Sequence, residues 1–227
     1  MSAYRVRGCV ASDGPSLAYN NMSAYWTDPT WVLLWENKTR EYVIEQAAKR
    51  YPKSLLMDRA HKRHQVAVDS DTGQIVGYCR WILPDRLTGE WLEAQTPAVS
   101  AEEETEYAKS FDNADFSGRP GMDDIDIPIS VIKKRLLGLK EYIELEYLAV
   151  HPDNRNHGIA TLLVESGIAQ AEKMGVDIFV LAYKAGLGVY KRTGFKMLDQ
   201  LIQDDSKYGG KGEYGAYFME REVNTAS

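Results

Sequence analysis

The alternation of apolar and polar residues predicts strands and helices that follow one another along the chain. Residues 4–10 alternate weakly and are predicted as a first strand. The run Ser-Asp-Gly-Pro at 12–15 predicts the start of a helix that continues to about Tyr25. Asp28-Pro29 is expected to end that helix, and a second helix is predicted over residues 36–51.

A β-hairpin is the clearest pattern after the second helix. Residues 65–69 and 74–83 are rich in β-branched and aromatic side chains, and the turn sequence Ser-Asp-Thr-Gly separates them. Alternation in the second strand would place Tyr78 and Trp81 on opposite faces. The two strands are therefore predicted to be neighbours in a sheet.

The C-terminal half shows a second alternation of strand and helix patterns. Residues 142–150 are predicted as a strand, residues 156–174 carry apolar side chains at helical spacing, and the apolar run 177–182 is typical of a central strand. Residues 196–202 and 214–222 are predicted as two closing strands, joined by a glycine-rich loop that we expect to be mobile. These patterns indicate an α/β protein.

The connection 84–140, between the hairpin and the strand at 142–150, is far longer than connections usually are. It contains turn and loop signals, followed by a helical pattern at 128–140, and is interpreted as an acidic and helical insertion. Within 85–126 there are twelve acidic and three basic residues, a net charge of −9, which leaves −6 − (−9) = +3 for the rest of the chain. The segment is either a solvated insertion or an electrostatic guide for a cationic amine.

Length and composition limit the class of protein. A chain of 227 residues with 44% hydrophobic and 26% charged residues is typical of one globular domain. It contains no apolar run of the roughly 18 residues that a membrane span needs, and its N-terminus lacks the apolar core of a signal peptide. We therefore expect a cytoplasmic protein that does not bind membranes.

Charge and cysteine usage exclude further classes. A net charge of −6 has the wrong sign for general binding of nucleic acid. Cys9 and Cys79 both fall in predicted strands and are expected to be buried, reduced thiols. The four histidines follow no metal-ligand spacing, so no structural or catalytic metal is expected.

The turn between the strand at 142–150 and the following helix carries the main candidate chemistry. The first amides of a helix have no acceptor within the helix and lie at the positive end of its dipole, so they bind anions. Gly158 and Ala160 would leave room for a pyrophosphate there, and Arg155 would add a positive charge. The turn is therefore predicted to bind a phosphate-containing ligand.

These residues resemble the acetyl-CoA-binding motif of the GNAT superfamily of N-acetyltransferases. The motif is Arg155-x-x-Gly158-x-Ala160 after a strand that ends in Val-x-Pro, and the sequence Tyr190 to Gly194-Phe195 is similar to the family's second signature. The resemblance implies a mixed, mostly antiparallel twisted sheet of six to seven strands flanked by helices, forming a single domain over 1–227 with the insertion before the motif strand. It also implies acetyl-CoA as co-substrate, bound by Leu148, Ala149, Val150, Arg155, Asn156, His157, Gly158, Ile159 and Ala160.

The chain departs from the family pattern at one position. The family often has an asparagine about seven residues before the tyrosine, in contact with the pantetheine arm, whereas this sequence has Tyr183. That contact is expected to be missing or to be made differently.

Two acidic residues on the motif strand are candidates for the general base. Glu144 and Glu146 are two residues apart, so both are expected on one face of the strand, together with Leu148 and Val150. Two close carboxylates can raise one pKa toward neutrality. By resemblance, Glu144 occupies the position, eleven residues before Arg155, that serves as base in some family members.

The resemblance also assigns two further roles. It makes Tyr190 the acid that protonates the leaving thiolate, and the backbone amide of Leu148 the donor to the developing oxyanion. No Cys or Ser suggests a covalent acyl-enzyme, so the amine is expected to attack directly.

The sequence does not identify the amine that accepts the acetyl group. The leading hypothesis is a small-molecule primary amine; the alternatives are a protein lysine or N-terminal amine, and a non-catalytic sensor of acetyl-CoA. A homodimer is possible. Five aromatic residues could line an acceptor pocket or simply fill the core: Trp26, Trp31, Trp35, Tyr78 and Trp81.

Overall fold

The computed structural model describes residues 3–223, except for the side chain of residue 123. Within this part of the chain one sheet contains seven strands: β1 (Tyr4–Gly8), β2 (Lys62–Asp69), β3 (Ile75–Ile82), β4 (Ile143–Val150), β5 (Ile178–Tyr183), β6 (Lys196–Asp204) and β7 (Glu213–Arg221). Their order is β1-β2-β3-β4-β5-β7-β6, and every neighbouring pair is antiparallel except β4 and β5. The predicted mixed, mostly antiparallel sheet is confirmed.

Helices cover both faces of this sheet: α1 (Gly14–Tyr25), α2 (Pro29–Val32), α3 (Arg40–Leu56), α4 (Ala101–Asp112), α5 (Asp126–Leu137), α6 (Ile159–Met174) and α7 (Leu187–Arg192). Apolar side chains of α6 and α7 pack in one core with Trp81 and Leu145. On the opposite face, Leu17 of α1 packs with Tyr78, and Ile129 of α5 packs with Phe179. We call these the α6 face and the α5 face of the sheet.

The early helices differ in their ends from the sequence prediction. Pro29 does stop α1, but the Asp28 carboxylate then accepts hydrogen bonds from the amides of Thr30 and Trp31 and so caps the short helix α2. Helix α3 continues past the predicted end at residue 51 and includes Pro52. The ring of Pro52 packs so closely on Gly14 that a Cβ there would lie 2.7 Å from it. This tertiary contact outweighs the proline's local preference to end a helix.

The insertion 84–140 contains one helix more than the sequence analysis predicted. Helix α4 begins at a capping box in which Ser100 Oγ accepts from the amide of Glu103, and the Glu103 carboxylate accepts from the amide of Ser100. The predicted helix at 128–140 exists as α5 but begins at Asp126. The sequence analysis predicted the turns and loops of this segment but did not recognise the capping box at Ser100 that begins α4.

The loop between β6 and β7, predicted to be mobile, is held in place by Asp205. This side chain is 2% exposed; it accepts a hydrogen bond of 2.6 Å from Thr30 Oγ1 and one of 2.9 Å from the Gly212 amide. A Cβ on Gly210 would lie 2.0 Å from the same carboxylate. The glycine at 210 therefore allows close packing on Asp205, and the prediction of a mobile loop receives no support.

Across residues 3–223, none of the helices has the length and apolar character required to cross a bilayer.

Candidate active site

Strands β4 and β5 separate halfway along their length. They pair only at Ile143 with Ile178, Glu144 with Phe179, and Leu145 with Val180, although both strands continue beyond these pairs. The β4 backbone after Leu145 therefore has no ladder partner in β5. The resulting gap leaves main-chain groups of β4 with which an extended ligand can pair.

A β-bulge at Glu146 corrects the predicted face of the motif strand. Trp81 of β3 lies opposite Leu145 and Arg80 lies opposite Tyr147, so Glu146 is the extra residue. The side chains of Leu145, Leu148 and Val150 then all pack on the α6 face. Glu144 is paired beside Phe179 of the α5 face, so the prediction that Glu144, Glu146, Leu148 and Val150 share one face is wrong.

Glu144 is the more buried of the two candidate bases. Its side chain is 13% exposed and forms an ion pair with Lys133 of α5. Burial raises the pKa of the Glu144 carboxyl above its ordinary value, while Lys133 opposes the shift and Glu146 adds to it. A carboxylate with a raised pKa is better suited to accept a proton than an ordinary surface glutamate is.

Glu146 has a different environment. It forms an ion pair with Arg80, and its side chain is 33% exposed. The Arg80 guanidinium also lies over the Tyr147 ring, 5.4 Å from the centroid. Glu146 is thus the more exposed of the two carboxylates and is held by an arginine, whereas Glu144 is the more buried.

Residues 151–160, which we call the cofactor loop, contain the turn at the start of α6 that was predicted to bind an anion. Asn156 and Gly158 have φ values of 64° and 78°, so the backbone turns sharply before Ile159 begins the helix. The site for a Cβ on Gly158 has no atom within 4 Å, and His157 is exposed. The start of α6 therefore lies beside open space at Gly158.

Within the same loop, Ile159 and Ala160 can contribute only through the main chain. The Ile159 side chain is 1% exposed and packs in the α6 core, and a Cβ on Gly77 would lie 2.7 Å from it. The side chain of Ala160 packs on the same core. These contacts fix the direction of the helix axis and hence of its first amides.

Arg155, which belongs to the cofactor loop, is also hydrogen-bonded to the end of α1. Its Nη2 donates to the Ala24 carbonyl at 3.1 Å and to Thr27 Oγ1 at 2.8 Å. No carboxylate among the described residues forms an ion pair with it. The charge predicted for a pyrophosphate is present, but the end of α1 sets its position.

Asn20 is a positioning residue that the sequence analysis missed. It is fully buried; its Oδ1 accepts from the His151 amide at 3.1 Å, and its Nδ2 donates to the Ala149 carbonyl at 3.4 Å. The amide thus joins α1 to the end of β4, where the cofactor loop begins. One asparagine in a helix has no spacing pattern that would have indicated this role.

Tyr190 lies on α7, in the α6 core. It is 5% exposed, its ring meets Phe195 at 5.5 Å, and Gly186 leaves room for it, since a Cβ there would lie 2.7 Å from the ring. Burial raises the pKa of the Tyr190 hydroxyl strongly, with Tyr25 of α1 adding to the shift. The hydroxyl therefore stays protonated at neutral pH, as an acid must.

The aromatic residues considered for an acceptor pocket divide into two groups. Tyr78, Trp81 and Trp35 are at most 5% exposed and belong to the core. Trp26 and Trp31 are partly exposed, and Trp31 contacts Tyr25, with ring centroids 5.6 Å apart. Tyr183, at the position of the family's asparagine, stacks on Tyr214 at 6.2 Å.

Among residues 3–223, no group of three or more His, Cys, Asp or Glu side chains is arranged to hold a metal ion. Cys9 and Cys79 are both buried free thiols.

Comparisons with solved structures match this fold over nearly the whole chain. A Corynebacterium glutamicum protein described as histone acetyltransferase HPA2 and related acetyltransferase has 18% identity and a TM-score of 0.59, covering 100% of this chain and 99% of that one. Arylalkylamine N-acetyltransferase 2 from Aedes aegypti has 12% identity and a TM-score of 0.58, over 98% and 100% of the two chains. The Drosophila melanogaster polyamine N-acetyltransferase has 13% identity and a TM-score of 0.57, over 97% and 100%.

The sequence gives a direct family match. No curated protein matches it significantly. The model of the acetyltransferase (GNAT) family, however, matches residues 23–195, which is 173 of the 227 residues and includes the cofactor loop and Tyr190. The chain therefore belongs to the acetyltransferase (GNAT) family of enzymes.

Proposed function

We propose that the protein transfers the acetyl group of acetyl-CoA to the primary amine of a small molecule. The gap between β4 and β5 is the observation that carries this proposal, because it leads from the cofactor loop to the level of Glu144. The open space at Gly158 and the amides of Ile159 and Ala160 fit the pyrophosphate. Arg155 supplies a positive charge beside them.

The residues around the gap can meet the three requirements of acetyl transfer. A primary amine has a solution pKa of about 10 and must lose a proton before it attacks, and Glu144 is the group that would accept it. The amide of Leu148 would donate to the developing oxyanion. The Tyr190 hydroxyl, protonated at neutral pH, would give its proton to the leaving thiolate.

The roles of Glu144 and Tyr190 require access across the sheet. Glu144 belongs to the α5 face and Tyr190 to the α6 core, so the two side chains cannot meet through a paired ladder. The unpaired stretch of β4 and β5 provides the connection. A substrate bound in the gap would thus have a proton acceptor on one side and a donor on the other.

Hydrogen bonds that join three segments on the Glu144 side of the sheet support our inference that the acceptor is small. Thr30 at the start of α2 is bonded to Asp205, the Arg119 guanidinium donates to the Tyr208 carbonyl at 2.8 Å, and the Gln203 amide donates to the Ile125 carbonyl at 3.0 Å. These contacts tie α2, the insertion and the β6–β7 loop together. An extended peptide would need a more open groove.

We also propose that residues 1–227 act as one catalytic domain in the cytoplasm. The continuous seven-stranded sheet supports a single domain, and two buried, unpaired thiols suit a reducing compartment.

An amine panel tests the proposed function. The panel should contain arylalkylamines, polyamines, a lysine peptide and a peptide with a free N-terminus, with free CoA measured as product. The two insect neighbours act on an arylalkylamine and on a polyamine, and their likeness in fold makes these amines reasonable first choices. Turnover of a small amine above that of the peptides supports the proposal. Turnover of a peptide alone would indicate a protein acetyltransferase, and tight acetyl-CoA binding without any turnover would indicate a sensor.

A further inference from the structure

Lys133 places a primary ammonium group on the candidate base. It projects from α5, in the insertion, and pairs with the Glu144 carboxylate. The carboxylate is 13% exposed whereas the Lys133 side chain is 27% exposed, so the ammonium approaches from the solvent side. No other carboxylate among the described residues forms an ion pair with Lys133.

The pair lies between two adjoining grooves on the α5 face. One, of about 270 Å³, includes Glu144 and has mainly apolar walls from Ile82, Leu83, Pro84, Leu137 and Tyr142, with Lys140 and Glu141 at its edge. The other, of about 420 Å³, runs along α5 beside Ser130, Lys133, Lys134 and Gly138. Leu137 lines both. The ion pair of Lys133 with Glu144 therefore lies where the two grooves adjoin, and a molecule in the smaller groove contacts Glu144 next to the lysine.

The chemistry of the lysine is that of the expected substrate. A lysine side chain ends in a primary alkylammonium, the same group as a protonated amine acceptor, on a flexible stem that can swing aside. The Glu144 carboxylate is largely buried, so it can pair closely with only one such ammonium at a time. Lys133 and an acceptor amine would compete for it.

We propose that Lys133 is an internal competitor that occupies the acceptor subsite on Glu144 until a substrate ammonium displaces it. The inference rests on the proposed function and specifies its substrate class: a primary alkylammonium whose body is apolar, because the groove beside Glu144 has apolar walls and one internal carboxylate. The insertion thereby acts as a selectivity element, since a neutral ligand would not displace the lysine.

Binding measurements without turnover test this proposal independently of the catalytic activity. Hexylammonium chloride is titrated into the CoA-loaded protein by calorimetry, with 1-hexanol as the neutral probe. Lys133→Met removes the ammonium and keeps an unbranched chain, and Lys133→Arg keeps the cation. Lys134→Met is the matched control, because Lys134 is the next residue of the same helix and forms no ion pair with the described residues. Melting curves establish that each variant is folded.

Lys133→Met is expected to tighten hexylammonium binding by about tenfold. This value corresponds to a subsite that Lys133 leaves free in about a tenth of the wild-type molecules. Lys133→Arg and Lys134→Met should stay within about twofold of wild type, which is the range usual for surface substitutions. Hexanol should bind weakly to all four proteins. Unchanged or weaker hexylammonium binding in a folded Lys133→Met variant would overturn the proposal, and so would equal tightening by Lys134→Met. Lack of acetyltransferase activity would contradict the proposed function but would leave this comparison valid.

Discussion

The guanidinium of Arg155 is hydrogen-bonded to the hydroxyl of Thr27, at 2.8 Å, so the cofactor loop is joined to the segment that follows α1. The same hydroxyl donates to the Ala24 carbonyl at 2.7 Å, and Arg155 also donates to that carbonyl. The three groups form a closed set of contacts at the C-terminus of α1. Arg155 thus connects the cofactor loop to the end of α1.

Thr27→Val should weaken acetyl-CoA binding several-fold, because the Arg155 guanidinium loses one of its two hydrogen-bond acceptors, a contact worth about 1 kcal/mol. Thr27→Ser keeps the hydroxyl, so this variant should bind acetyl-CoA with wild-type affinity. Calorimetric titration measures both. Thr105→Val is the control, since Thr105 makes the same kind of bond to a helix carbonyl on the exposed helix α4. Wild-type affinity in Thr27→Val would show that Arg155 needs no support from the Thr27 hydroxyl.

Gly158→Glu should abolish acetyl-CoA binding, because a carboxylate would enter the space where the first amides of α6 meet the pyrophosphate. Gly73→Glu is a matched control: Gly73 has φ of 74° against 78° for Gly158, and no atom lies within 4 Å of its Cβ site. Both variants carry the same backbone strain of about 1–2 kcal/mol. Equal acetyl-CoA affinity of the two folded variants would remove the basis for the cofactor site.

Acetyl-CoA itself should stabilise the protein by about 2.7 kcal/mol at 100 times its dissociation constant. NAD and ATP at the same concentration should have much smaller effects, because they lack the pantetheine arm that we propose to lie in the gap between β4 and β5. Thermal melting with each ligand measures the difference. A larger shift with NAD than with acetyl-CoA would contradict the cofactor assignment.

Glu144→Gln should change the pH dependence of the rate. The pKa of Glu144 is raised, so its proton-accepting form increases as pH rises through that value, and the wild-type rate should rise with it. The variant should no longer show the rise in rate that comes from the titration of Glu144. Its rate should recover in part at high pH, where more of the amine in solution is unprotonated. Rates from pH 5 to 10 test this, with Glu146→Gln as the comparison. A loss that is equal at every pH would mean that Glu144 positions the substrate and takes no proton.

Tyr190→Phe should lower turnover by roughly 10²–10⁴, the usual range for a positioned acid, and leave acetyl-CoA affinity nearly unchanged. The ring remains, so packing against Phe195 and Gly186 is kept. Tyr107→Phe, on α4, serves as control. Wild-type turnover of Tyr190→Phe would show that the thiolate obtains its proton from another source, such as water.

The sequence was sufficient to predict the features of the fold that depend on a few neighbouring residues. The alternation in residues 142–150 and the glycine at 158 predicted a strand, a turn and a helix N-terminus, because side-chain periodicity and positive φ leave direct marks on residue choice. The order of the elements and the family resemblance followed from these. Several element ends, such as both ends of α3, differ by two to five residues, because packing such as that of Pro52 on Gly14 is not visible locally.

Tertiary structure decided how these elements form a site. The bulge at Glu146 reverses the alternation of β4, and it depends on pairing with Arg80 and Trp81 of another strand. Lys133 reaches Glu144 from eleven positions earlier in the chain only because α5 folds back over the sheet. Asn20 joins α1 to β4 across more than a hundred residues. Contacts of this kind leave no periodic signal in one sequence, whereas strands, turns and helix starts do, because their causes lie within a few neighbouring residues.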